Sequence, residues 1–206
     1  MKRFYLNILI FLFLILLTSC NKPSYQFYRY EYNGYLDTIG YIIVEYDANK
    51  YTTIELEDIF KKTEELMVNV EKEFSINKTI HMEMLNIEKS TLMIINERSG
   101  QNVPTKVSDD FLKMLDLADK MYKYSDGLFD VTIGSLTKLW QISEKSEYCM
   151  DDLSSMEYLC KIPSQEDIDK NKELINFQDV SIDYEEKTVS LNKKGMALDF
   201  GAIGKG

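Results

Sequence analysis

With 206 residues, 45% of them hydrophobic and 14 of them tyrosine, the chain has enough apolar surface for a packed core and too much for a disordered segment. Its net charge of −10 argues against nucleic acid or an anionic membrane face as a broad partner, so an anionic ligand would need a local pocket of lysine or metal. The single histidine, His81, makes a multi-histidine zinc site or a His-centred relay a poor expectation, and its polar stretch from Asn77 reads as surface.

In chain order, Lys2 and Arg3 precede an apolar run from Phe4 to Leu17 that is short for a membrane span. The run ends in Leu17-Thr18-Ser19-Cys20, which fits a bacterial lipobox. Residues 1–19 are therefore expected to be a lipoprotein signal peptide, Cys20 the lipidated N-terminus, and residues 20–26 a tether. The expected location is outside the cell membrane, anchored to it by acyl chains. Tyr25 to Tyr46, with Asn33-Gly34 as a turn signal, reads as a hairpin whose second strand is Ile39 to Tyr46.

Thr52 and Glu55 can form a capping box that opens a long helix. Leu56, Ile59, Phe60, Thr63, Leu66, Met67, Val70 and Phe74 then recur at helical spacing and predict its core face. Ser108 predicts the N-cap of a second helix with Phe111, Leu112, Leu115, Ala118 and Tyr122 inward, closed by Gly127. Gln141 to Ile162 reads as a loop. Cys149 and Cys160 lie within it, and an exported chain permits a bridge between them that their spacing does not establish. Pro163-Ser164 starts a short helix, Val180–Asp183 and Thr188–Asn192 a hairpin, and Met196 to Phe200 a last strand. No internal repeat or interdomain linker is visible. The order of elements predicts an α+β fold, helices on a mostly antiparallel sheet.

Two stretches carry chemistry. Asp199-Phe200-Gly201-Ala202-Ile203-Gly204-Lys205-Gly206 has the make-up of a turn where backbone N–H groups can approach a phosphate, with Lys205 adding charge. It is not a Walker A loop, since the glycine spacing is too short and no Ser or Thr follows the lysine. Gly127-Leu128-Phe129-Asp130-Val131-Thr132-Ile133-Gly134 leads through Leu136 and Leu139 to Trp140. By residue type alone, Phe129 and Trp140 read as core aromatics and Asp130 as a turn or cap carboxylate.

Together these stretches resemble the ApbE family of flavin transferases, whose hallmarks are G-x-F-D-x-T-x-G-x-L-x-x-L-W and D-x-G-x-x-x-K-G. Smaller likenesses agree: Glu73-Phe74-Ser75 resembles an E-x-x-F-S segment, and Ser90 to Asn96 with Gly100 an S-D/E-L-x-x-I-N segment followed by a glycine. Leu36-Asp37-Thr38 stands where the family has M-G-T or F-D-T, and Asn77 where it often has a tyrosine near the flavin's adenine. The resemblance makes residues 27–206 the N-terminal part of an ApbE-like domain, incomplete at the C-terminus. It implies transfer of FMN from FAD to a threonine of a target protein, with Mg²⁺ and release of AMP. By the same resemblance Asp199 and Lys205 contact FAD, Leu128, Phe129 and Asp130 line the flavin nucleotide pocket, and the Ala202 main-chain oxygen meets the metal. Some members are expected to hydrolyse FAD instead. The family's remaining metal ligands, an Asp and a Thr, come after the D-x-G-x-x-x-K-G motif, so no catalytic residue is assigned here. The 206 residues by themselves are expected to be inactive, leaving a flavin-binding module or a remnant as the competing readings.

Overall fold

The computed structural model describes residues 22–35, 39–140 and 162–204. The leader and Cys20, the Leu36-Asp37-Thr38 segment, the expected loop with Cys149 and Cys160, and the pair Lys205-Gly206 lie outside the described residues. The chain forms two compact units. The smaller holds a hairpin and the following helix as far as Leu66. The larger holds Gly34, Tyr35 and everything described from Met67 onward.

In the smaller unit β1 (Tyr25–Asn33) pairs antiparallel with β2 (Ile39–Asp47), Tyr25 opposite Asp47 and Asn33 opposite Ile39. Alternation sends Tyr28, Tyr30 and Tyr32 to one face. There the rings of Tyr28 and Tyr30 stack on Phe60 at centroid distances of 5.7 and 4.7 Å, and Tyr30 donates to Glu64 at 2.7 Å. Phe60 belongs to α1 (Thr53–Phe74). The capping box forms as expected: the Thr52 amide donates to Glu55 Oε2 at 2.8 Å and the Glu55 amide to Thr52 Oγ1 at 3.3 Å. The expected apolar face is narrower than its sequence. Leu56 and Phe60 are buried, whereas Ile59, Leu66 and Val70 are exposed, because the inward line runs through Leu56, Phe60 and Glu71, all buried, with Met67 and Phe74 half-buried along it.

Glu71 explains a second departure. This fully buried carboxylate accepts from Thr79 Oγ1 at 3.1 Å and lies 3.3 Å from His81 Nδ1. His81 is therefore not a surface residue. A short helix α2 (Ile80–Met84), N-capped by Thr79, turns the imidazole inward, where it stacks on Tyr35 at 3.9 Å.

The larger unit is assembled from capped helices. Ser90 caps α3 (Thr91–Glu97), Ser108 caps α4 (Asp109–Tyr124) and Ser164 caps α6 (Gln165–Lys172), each through its hydroxyl to the third amide beyond. Such a cap contributes about 1 kcal/mol. Between them lie β3 (Thr105–Lys106) and α5 (Gly134–Leu139), two elements the sequence did not announce. The expected hairpin is present as β4 (Val180–Asp183) and β5 (Thr188–Leu191), and β3 adds to β5 in an antiparallel sheet of order β3-β5-β4. Phe111, Leu115 and Ala118 of α4 pack with Leu92, Ile95, Val189, Leu191 and Leu198 as the core. The fold is α+β, as the element order predicts.

The expected last strand is a correction. Met196 to Phe200 is extended but makes only a single parallel bridge, Ala197 to Ile133. Its other hydrogen bonds come from a side chain and a turn. Asn96 Nδ2 donates to the Leu198 carbonyl at 2.9 Å and the Leu198 amide to Asn96 Oδ1 at 2.7 Å, while the Asp199 amide donates to the Val131 carbonyl at 2.8 Å. The amide of Asn96 thus replaces a neighbouring strand.

Candidate functional site

The first motif begins where α4 stops. Ser125 closes the helix, Asp126 and Gly127 follow at φ of 51° and 79°, and the chain reverses into the turn. Leu128 is 92% exposed, and Phe129 packs half-buried against the core. Asp130 is buried, and both its oxygens are taken by the protein. Oδ1 accepts from the Thr132 amide and hydroxyl at 2.8 and 2.7 Å, and Oδ2 from the Phe177 amide at 2.9 Å. Thr132 Oγ1 in turn accepts from the Asn176 amide at 2.9 Å. Asp130 and Thr132 therefore fasten residues 176–177 to the turn, nearly 50 positions away in sequence. Trp140 ends the motif 40% exposed rather than as a core aromatic.

The turn delivers α5, and α5 meets the second motif. Gly134 is buried, and a Cβ there would lie 2.5 Å from the Ala197 carbonyl oxygen, so only glycine lets the helix start this close to the extended segment. One turn along, Thr137 Oγ1 donates to Asp199 Oδ2 at 2.8 Å. The Gly201 amide donates to Asp199 Oδ1, also at 2.8 Å. The carboxylate is held from both sides.

Asp199 forms part of the wall of a cleft of about 740 Å³. Ile76, Met93 and Leu198 give it apolar wall, Asn77, Asn96, Gln101 and Thr137 polar groups, and Lys89, Lys138 and Lys194 positive charge. Lys89 is neutralised by Glu97, also in the lining, at 2.7 Å. Lys138 and Lys194 have no carboxylate partner among the described residues. With Lys89 and Glu97 paired, Lys138 and Lys194 stand against the single carboxylate of Asp199, so the lining is locally positive in an acidic protein.

Of the residues that the sequence singled out, the structure places Asp199 in the cleft wall. Leu128, Phe129 and Asp130 are not in its lining. Ala202 sits on an exposed turn held by the Ile203 and Gly204 amides, which donate to the Phe200 carbonyl at 3.0 and 2.8 Å. Lys205 is outside the described residues. Asn77, where the family often has tyrosine, does line the cleft. Sequence reasoning missed Thr137, Lys138 and Lys194. Thr137 and Lys138 fall at variable positions of the first motif, and Lys194 lies in a turn that carries no motif.

Magnesium requires near-octahedral oxygen coordination. The described residues offer the Ala202 carbonyl and the already engaged Asp199 carboxylate, and among them no group of three His, Cys, Asp or Glu is gathered. They do not form a magnesium site by themselves.

The profile of the ApbE family matches residues 42–206. The FAD:protein FMN transferase of Klebsiella pneumoniae (strain 342) is 30% identical over 122 residues, 59% of this chain and 34% of that protein. The FAD:protein FMN transferase of Chlamydia muridarum (strain MoPn / Nigg) is 22% identical over 211 residues, 100% of this chain and 56% of that one. The chain thus spans between about a third and just over half the length of these curated relatives. The crystal structure of the ApbE protein from Thermotoga maritima matches with a TM-score of 0.65 at 24% identity, covering 88% of this chain and 49% of that chain. The flavin transferase ApbE from Vibrio cholerae gives 0.64 at 16% identity, over 85% and 48%. These likenesses show the fold.

Proposed function

This chain belongs to the ApbE family, and on that premise we propose that it is the N-terminal part of an FAD:protein FMN transferase. The observation that carries the reading is the Asp199 cleft. It joins the family's second motif to two lysines, Lys138 and Lys194, that form no ion pair with a carboxylate among the described residues. FAD bears a pyrophosphate, and an acidic protein can hold it only where charge is locally reversed. Lys138 and Lys194 would supply that reversal, with Lys205 adding to it, while Ile76, Met93 and Leu198 offer apolar wall to a ring.

The proposed reaction is attack by a threonine hydroxyl of a target protein on the FMN phosphorus of FAD. The bond to the AMP phosphate breaks, AMP leaves, and FMN remains as a phosphoester. Mg²⁺, when bound, would neutralise charge on the pyrophosphate. The work of the described residues is to bind and orient: lysines for the phosphates, Asp199 as a fixed acceptor for a ligand N–H or O–H. No residue is assigned as the base for the hydroxyl proton. Export and anchoring through acyl chains on Cys20 complete the proposal, placing the cleft outside the cell membrane beside exported targets.

The test is incubation of the full-length transferase that carries these residues with FAD, Mg²⁺ and a threonine-bearing redox subunit from the same cell envelope. The expected result is an FMN-sized mass gain on the target together with free AMP. FMN and AMP without a modified target would indicate hydrolysis. FAD binding with no AMP would leave a flavin-binding module, and no FAD binding would sink the reading.

A further inference from the structure

Thr137 stands at a variable position of the first motif, yet its hydroxyl makes the only side-chain hydrogen bond to the Asp199 carboxylate among the described residues. We infer that Thr137 is a positioning residue that sets the orientation of the Asp199 carboxylate in the cleft and thereby the affinity for the flavin nucleotide. The inference rests on the proposal that Asp199 faces FAD.

The geometry is over-determined on the protein side. The Thr137 hydroxyl has one proton and two acceptors in reach, Asp199 Oδ2 at 2.8 Å and the Gly134 carbonyl at 3.2 Å. The shorter contact is to the charged acceptor, as expected of a charge-assisted bond. Thr137 cannot drift, because it is β-branched and sits one turn into α5. The start of that helix is pinned against Ala197 by the missing Cβ of Gly134. Asp199 cannot drift either. Its amide is held by Val131, and the preceding residue, Leu198, is held at both N–H and C=O by Asn96. What remains free is rotation of the carboxylate, and two donors remove it: Thr137 on Oδ2 and the Gly201 amide on Oδ1. Each oxygen keeps a lone pair for a ligand donor. An acceptor fixed before binding spares the ligand the entropy of ordering it, so the benefit appears as affinity rather than as stability.

Two substitutions separate positioning from packing. Thr137→Val keeps the shape and the branch but has no donor. Thr137→Ser keeps the donor and loses a methyl. In the full chain, FAD affinity by titration calorimetry is expected to fall about tenfold for Thr137→Val and to stay within about threefold of the parent for Thr137→Ser. The melting temperature should not track this order. A second readout needs no ligand: exchange of the Gly201 amide, which donates to the same carboxylate, should be several-fold faster in Thr137→Val and unchanged in Thr137→Ser. Parent-like FAD affinity in Thr137→Val overturns the inference, as does an affinity loss that Thr137→Ser shares. If the parent chain does not bind FAD, the flavin reading falls, and unchanged Gly201 exchange in Thr137→Val then overturns the positioning role as well.

Discussion

The two motif turns each present an aspartate, and the structure uses them in opposite ways. Asp130 is buried and spends both oxygens on the protein, accepting from Thr132 and from the Phe177 amide. Asp199 is half-buried in a cleft wall and is held by one hydroxyl and one amide, with room left for a guest. In a sequence the two look alike: an acid next to a phenylalanine, with a glycine within three residues. The difference is what each carboxylate's neighbours leave unsatisfied, so one motif aspartate is spent on architecture while its counterpart lines a cleft.

The largest effect should come from breaking the architectural member. Asp130→Ala strands three donors and releases the 176–177 segment. A loss of about 3 kcal/mol in urea denaturation is expected, since each buried unsatisfied donor costs about 1–3 kcal/mol and relaxation recovers part. A loss below about 1 kcal/mol would show that Asp130 is not a fastening. Gly134→Ala attacks the junction between the turns. Its Cβ would meet the Ala197 carbonyl at 2.5 Å, so α5 or the extended segment must move. We expect about 2 kcal/mol of destabilisation with weakened FAD binding, measured by denaturation and calorimetry on one preparation.

Asp199→Ala should reverse the pattern. Stability should change by less than about 1 kcal/mol, because the hydroxyl and amide it strands are within reach of water, while FAD affinity drops about tenfold or more. Equal losses in both measurements would erase the contrast with Asp130.

A surface carboxylate extends the series. Tyr184 donates to Asp116 at 2.6 Å, and this hydrogen bond, helped by partial burial and by the charges of Asp116 and Asp119, pushes the phenol up to about 12. A phenol whose folded value lies above its unfolded value of about 10 stabilises fully below pH about 10 and loses that contribution as pH rises through about 12. With Tyr184 more than half exposed, the contribution is expected to be no more than about 0.5 kcal/mol. Alkaline denaturation of Tyr184→Phe against the parent checks it: the difference between the two should shrink across that window and stay flat below it.

The comparison also marks what could be read in advance. Three of the helices, α1, α4 and α6, announced themselves through their caps, Thr52 with Glu55, Ser108 and Ser164, because a cap and its helix lie within a few residues of one another. Both hairpins followed from alternation between turn signals. The Asp199 cleft was legible only as a glycine-rich turn with a motif, and the motif could not tell which of its residues face a guest. His81 shows the same limit from the other side. Its polar neighbours suggested surface, but its surroundings are set by Glu71 and Tyr35, which no local pattern connects to it.

The sequence by itself determined the α+β class, three of the helices with their caps, both hairpins and, through two motifs, the family. These depend on propensities and spacings inside short windows. Tertiary structure decided that Asn96 serves as a strand for Leu198 across 102 positions, that Asp130 binds Phe177 across 47, and that Thr137 holds Asp199 across 62. The last of these depends on the close fit of Gly134 against Ala197, and all three bring distant segments within hydrogen-bond reach, a condition that packing sets and local sequence does not encode.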